Sequence, residues 1–318
     1  MLELFVSDVT TLHATGFAVA FVLTVLLISL LKRFLPRDHG RKFAVEGQLS
    51  NGKERGAGII FVSVFVFTAV LFTPQKTEGA VYLLAVLLAM VAGYLDDASE
   101  IPWKDYKKAI IDLLIAVMVT FVYIFENGTT VKLALIGISF TMPTAAFALC
   151  SVILIWISIN VTNCTDGVDG LSASLGIATL MSFAVLIVIL KGNFSDAYVC
   201  LLFSVCLMGY LLFNANPSTV LMGDAGSRAM GTLIAIIALK SGTPFMWIPL
   251  AIVFIVDGGV GLVKLFLARF FKIKILKNVR TPLHDHVRKN LNWSNTQTVY
   301  RYTIIQVMIS AMFLWMAR

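Results

Sequence analysis

The chain has 318 residues, 58% hydrophobic and only 14% charged, with a formal net charge of +7 and a mean hydropathy of +0.88. A soluble domain carries charge at about 25% of its positions, and a transmembrane barrel alternates apolar with polar residues, so these values and the continuous apolar runs exclude both. The excess of positive charge reads as membrane orientation and affinity for anionic phosphates, and no nucleic-acid partner is expected.

The pattern predicts an all-α polytopic membrane protein with about ten transmembrane helices. The predicted spans are residues 14–31, 58–72, 80–95, 109–125, 143–159, 171–190, 197–213, 227–239, 245–267 and 302–316. The second and eighth are short for a hydrocarbon core about 30 Å thick. No repeat and no low-complexity linker divides the chain, so residues 1–318 read as a single integral-membrane domain. The first span lacks a preceding basic region and a small-residue cleavage site, and reads as retained. With the N-terminus outside, every Lys and Arg except Lys76, Lys132, Lys191, Lys240 and Arg318 falls on the inner side. That bias predicts an N-out, C-out topology, with the long basic loops on the cytoplasmic side. Loops 32–55 and 269–299 are long enough to fold on the inner surface, and 131–140 reads as a small outer hairpin. The four cysteines contain no C-x-x-C pair, which argues against a zinc site or a disulfide framework.

Polar clusters interrupt the apolar chain at what this topology makes the same, inner ends of the spans, where carboxylates are costly unless they have a role. The first is Asp96-Asp97. Adjacent residues on a helix point in different directions, so one carboxylate can enter a site while the other caps or orients. Such oxygens suit Mg²⁺ or accept a proton; a solvated helix end is the alternative. Lys108 follows at the start of the fourth span, either an interfacial anchor or a phosphate holder.

The second cluster is Asn160-Val-Thr-Asn163-Cys-Thr-Asp166-Gly-Val-Asp169-Gly-Leu. Asn160 and Asn163, like Asp166 and Asp169, are three apart and share a helical face. A capping turn needs only one of these residues, so the run carries more polar chemistry than a cap requires. Asn214 lies in an irregular break at 213–217, and Asp224 in Met-Gly-Asp-Ala-Gly-Ser, where small neighbours leave room for a ligand or a helix cap. Asp257 precedes Gly258-Gly259; these glycines are placed to break the ninth span, with Asp257 satisfying the freed backbone. The last cluster is Pro282-Leu-His284-Asp285-His286, which suits metal or phosphate contact, although H-x-H alone is weak as a zinc motif.

There is no Walker A loop, dinucleotide fingerprint or nucleophile elbow. Acids, amides, imidazoles and one lysine at a single membrane face suit Mg²⁺-assisted phosphoryl transfer. An ion-coupled transporter would instead place its acids near the midplane and show repeat symmetry.

These residues, in this order, resemble the polyprenyl-phosphate N-acetylhexosamine-1-phosphate transferase superfamily, over a match from about residue 37 to the C-terminus. The carrying motifs are Asp96-Asp97, Asn163-Cys-Thr-Asp166-Gly-Val-Asp169-Gly-Leu and Met222-Gly-Asp224-Ala-Gly-Ser. The run Pro282-Leu-His284-Asp285-His286, followed by Trp293 and a last span, looks like the phospho-N-acetylmuramoyl-pentapeptide transferase branch. The resemblance implies attack of undecaprenyl phosphate on the β-phosphate of UDP-MurNAc-pentapeptide, with release of UMP. It implies Mg²⁺ as cofactor, Asp224 as metal ligand, and Asp96 or Asp97 as base or carrier-phosphate orienter. It places Asn163, Asp166, Lys108 and His284 in the catalytic pocket, and Asn160, Asp169, Asn214 and His286 with substrate, Asp169 and Asn214 toward the uridine. Family members are often dimers, which allows a homodimer here. Departures are Asp285 for the middle histidine, Glu100 for a lysine, Leu221 for an aromatic, and a first inner loop that keeps its glycines only. They leave a sister GlcNAc-1-phosphate transferase as the alternative.

Overall fold

The computed structural model describes residues 8–38, 40, 48, 50–74 and 76–318. Part of the first inner loop, including Arg41 and Lys42, lies outside the described residues.

Eight helices follow the apolar runs in order: α1 (Val9–Leu31), α2 (Gly58–Phe72), α3 (Thr77–Asp97), α4 (Asp105–Asn127), α5 (Thr144–Thr165), α6 (Leu171–Ile189), α7 (Phe194–Asn214) and α8 (Gly223–Lys240). A bent pair follows, α9 (Pro244–Leu250) and α10 (Ile252–Phe271). A short amphipathic α11 (Leu283–Asn290) precedes the final α12 (Asn295–Met316).

Seven of these helices are long and apolar enough to cross a membrane, eight if the bent pair is one span, among the described residues. The remaining two of the ten expected segments are α2, with 15 residues, and α8, which carries Asp224, Arg228 and Lys240. Every residue of α8 from Gly223 to Leu239 is buried. Its charges therefore meet protein rather than lipid, which a linear hydropathy reading does not capture.

Glycine permits the close approaches around α8. A Cβ on Gly93 of α3 would collide with the Asp224–Ala225 backbone, and one on Gly58 of α2 with the Gly226 backbone. Without a hydrophobic drive in lipid, such small-residue contacts let helices pack by dispersion. Between α2 and α7, Phe61 and Phe65 lie against Tyr210 and Phe203, with ring centroids 5.1 and 4.8 Å apart.

Two short pairings complete the fold. The expected hairpin forms from β2 (Thr130–Leu133) and β3 (Ile138–Thr141), antiparallel with Val131 opposite Phe140. On the other side, β1 (Glu54–Arg55) pairs in parallel with β4 (Val220–Leu221), so that Arg55 lies beside Leu221. That pairing carries the first inner loop to the N-terminus of α8.

The ninth segment corrects one expectation. The 72° bend falls between Leu250 and Ile252, and Gly258-Gly259 instead lie in a π-helical stretch, Ile255–Gly259. The backbone freed at the bend is satisfied from α12: Gln306 accepts from the Val253 N–H at 3.0 Å and donates to the Pro249 carbonyl at 3.1 Å. Asp257 is not spent on its own helix. Its Oδ1 accepts from the His284 N–H at 2.6 Å, at the start of α11.

Polar residues collect at both ends of the bundle. At the end away from the motifs, Lys240 of α8 pairs with Glu78 of α3 at 2.9 Å, and Asn127 of α4 donates to the same carboxylate at 2.6 Å. The motif residues gather at the opposite end.

Candidate active site

Parallel pairing of β1 with β4 delivers Arg55 into a group of carboxylates. Its Nε meets Asp97 Oδ1 at 2.8 Å, Nη1 meets Asp38 Oδ1 at 3.2 Å, and Nη2 meets Asp224 Oδ1 at 3.1 Å. Burial works against the guanidinium charge, but Asp97, Asp224, Asp38 and Asp166 outweigh it and hold its pKa above the ordinary arginine value. Arg55 is charged at any working pH.

The acidic pair divides its labour as helical geometry requires. Asp97 accepts from the backbone N–H groups of Asp224 and Ala225, both at 3.0 Å, and so caps α8 from another helix. Gly223, at φ +71°, turns the chain into that cap, and a Cβ there would collide with Asp97. Asp96 points elsewhere, accepting from the Trp103 N–H at 2.7 Å and pairing with Lys108.

Lys108 also donates to Asp224 Oδ2, at 3.0 Å. One turn further along α4 and α8, Asp112 and Arg228 form a second buried pair at 2.5 Å. Arg228 Nη2 donates as well to the Lys108 carbonyl at 3.3 Å, and its Nη1 stands 4.0 Å from Asp224. The two rungs are crossed: α4 presents Lys then Asp, α8 presents Asp then Arg.

The Asn160–Asp169 run packs on this group. Asn163 donates to Ser227 Oγ at 3.0 Å, and Asn160 donates to the Trp156 carbonyl at 2.8 Å, its amide 3.5 Å from Asp112. Asp166 ends α5 and acts electrostatically on Arg55. Asp169 accepts from the Ser218 N–H at 3.0 Å and pairs with Lys53 at 3.3 Å. Asn214 is buried, accepting from the Gly170 N–H and donating to the Val220 carbonyl, both at 2.9 Å. It braces the loop that carries Asp169.

The His284 ring is buried, with Nδ1 2.8 Å from Asp257 Oδ2, and a Cβ on Gly167 would collide with its Nε2. The loop that carries His284 therefore docks on the Asp166–Gly170 turn. His286 stands apart, its Nδ1 accepting from the Arg280 N–H at 3.3 Å. Among the described residues, no group of three or more His, Cys, Asp or Glu side chains is set to hold a metal ion.

Asp38, Lys53, Arg55, Asp112 and Arg228 were not singled out as site residues from sequence. Asp112 and Arg228 carried the one available signal, charge inside apolar runs. Nothing local to Arg55 marks it, since it reaches the site by pairing with a segment 166 positions away.

A group of six carboxylates (Asp38, Asp96, Asp97, Asp112, Asp166, Asp224) faces three cations (Arg55, Lys108, Arg228), a formal charge of −3. Hard oxygen donors with excess negative charge fit a divalent cation that takes one or two carboxylates and completes its shell from substrate phosphates. Asp224 offers one such carboxylate, with Arg55 on one oxygen and Lys108 on the other.

The glycosyl transferase family 4 model matches residues 79–242, from the first turn of α3 through the end of α8. The phospho-N-acetylmuramoyl-pentapeptide-transferase of Treponema pallidum (strain Nichols) is 41% identical over 296 residues, covering 87% of this chain and 82% of the relative. The enzymes of the same name from Clostridium perfringens (28%, 92% and 91% covered) and Listeria innocua (27%, 90% and 92% covered) also match. The chain belongs to glycosyl transferase family 4 and, within it, to the phospho-N-acetylmuramoyl-pentapeptide-transferase family.

Proposed function

We propose that this chain transfers phospho-MurNAc-pentapeptide from UDP-MurNAc-pentapeptide to undecaprenyl phosphate in a bacterial plasma membrane. The observation that carries the reading is the convergence of Asp96, Lys108, Asp224 and Arg55 at one end of the bundle. Ten spans with both termini outside put that end in the cytoplasm, where a nucleotide sugar is available; the distribution of Lys and Arg supports this.

Lys108 supplies a point charge for the phosphate of the lipid, and Asp96, its partner, orients that phosphate and accepts its proton. An apolar groove lined by Leu88, Val91, Leu95, Trp103, Leu114 and Met118 runs between α3 and α4 and ends at Trp103, which is bonded to Asp96. It suits the polyprenyl tail. A phosphate oxygen of the lipid attacks the β-phosphorus of the nucleotide sugar, and the bond to the α-phosphate oxygen breaks, so UMP leaves with that electron pair. Mg²⁺, held by Asp224, would neutralise the pyrophosphate as charge moves onto UMP.

Arg55 holds Asp224 and Asp97 in register, and Asn163 fixes α5 to α8 through Ser227. Lys53 and Asp169 form a half-exposed pair at the side suited to the uridine.

The test is product analysis by mass. Purified protein in detergent receives undecaprenyl phosphate and, separately, UDP-MurNAc-pentapeptide, UDP-GlcNAc and UDP-GalNAc. A pyrophosphoryl-MurNAc-pentapeptide lipid formed with UMP supports the proposal; product from UDP-GlcNAc alone overturns it in favour of the sister activity.

A further inference from the structure

Arg228 is badly placed for a site that is to receive a divalent cation. It sits one turn after Asp224 on α8, with Nη1 4.0 Å from Asp224 Oδ2 and a side chain only 5% exposed. A guanidinium free to close that gap would form a two-pronged pair with the carboxylate, since its fork matches carboxylate geometry. Asp224 already meets Lys108 on one oxygen and Arg55 on the other. A third cation at full contact would compete directly with the metal.

What keeps Arg228 off is Asp112. Its Oδ1 holds Arg228 Nη2 at 2.5 Å, and Asp112 is itself 1% exposed. The Lys108 carbonyl takes the same nitrogen at 3.3 Å, and Asn160 stands 3.5 Å from the other Asp112 oxygen. Asp112 is thus tied from one side by an amide and from the other by the guanidinium it restrains. A buried ion pair is often replaceable by apolar residues at no cost in stability. Its retention one turn below Asp224 asks for another role.

We propose that Asp112 is a positioning residue that withholds Arg228 from Asp224, leaving the Asp224 carboxylate able to receive a divalent cation. The proposal rests on the metal role given to Asp224 above. It makes a prediction that a simple structural pair does not: removing Asp112 alone weakens metal binding, and removing Arg228 along with it restores that binding.

The experiment measures Mn²⁺ bound to the full-length protein in detergent by electron paramagnetic resonance, with saturating UDP-MurNAc-pentapeptide and no lipid acceptor, alongside thermal unfolding. Wild type, Asp224→Asn, Asp112→Asn, Arg228→Gln and the double variant Asp112→Leu/Arg228→Leu are compared. The expectation is loss of the Asp224-dependent Mn²⁺ signal in Asp224→Asn and at least about 10-fold weaker affinity in Asp112→Asn. Affinity equal to or tighter than wild type is expected in Arg228→Gln and in the double variant. Wild-type affinity in folded Asp112→Asn, or a double variant as weak as the single one, overturns the proposal while leaving the metal role of Asp224 standing. Mn²⁺ binding indifferent to Asp224→Asn removes that role and the proposal with it. Should Asp112→Asn fail to fold, Arg228→Gln and the double variant decide: weaker binding in either overturns the idea.

Discussion

The carboxylate of Asp97 accepts from the backbone N–H of Asp224 at 3.0 Å, across 127 positions of sequence. The acid that begins the α8 cluster is therefore located by the end of α3. Asp97→Asn keeps the shape but removes the charge that pairs with Arg55 and the α8 dipole. The expected result is a loss of about 1–3 kcal/mol in stability, seen as a lower unfolding temperature, together with reduced turnover. Unchanged stability in that variant is incompatible with the cap.

Arg55→Lys tests the fork. Three nitrogens of Arg55 serve three different carboxylates at 2.8–3.2 Å, and an ammonium group offers one centre instead. Turnover should fall by about 10-fold or more, the loss of about 1.4 kcal/mol or more of positioning, with the protein still folded by circular dichroism.

Removal of divalent cation by EDTA should abolish product formation, and Mg²⁺ should restore it. Asp224→Asn at saturating Mg²⁺ is expected to lower kcat by on the order of 100-fold, the scale of removing one preorganised electrostatic partner. Near wild-type turnover in that variant would take Asp224 out of the metal role.

The α3–α4 groove makes a prediction about one substrate only. Ala92 lines it, and Ala92→Phe fills it without touching the charged cluster. The KM for undecaprenyl phosphate should rise several-fold while that for the nucleotide sugar stays within about twofold, as expected when binding of a single substrate is impaired. Equal changes in both KM values would argue that the tail lies elsewhere.

Much of this was legible from residue order. The all-helical membrane class is legible because each helix satisfies its own backbone and needs no knowledge of its neighbours, although among the described residues only seven helices, or eight with the bent pair, are long and apolar enough to span. The hairpin at 130–141 was marked by Asn127-Gly128 and alternation. The division of Asp96-Asp97 into one inward and one capping acid follows from helical geometry. What sequence could not give were contacts made by distant pairing: Arg55 through β1–β4, Asp112 through Arg228, Gln306 through the bend. The bend itself was misplaced because glycines mark where a helix can yield, whereas here the freed groups are matched by an amide on another helix.

The Lys240–Glu78 pair gains its meaning from the opposite tip of the same two helices. α3 and α8 are pinned together there and again at the other end, where Asp97 grips the first turn of α8 and Gly93, one turn earlier on α3, packs on the same Asp224–Ala225 backbone. A long-chain lipid must nonetheless enter and a bulkier one depart in every cycle. The angled limb after Leu250 belongs to neither pin: it is held instead by Gln306 of the last helix and, through Asp257, by the loop that carries His284.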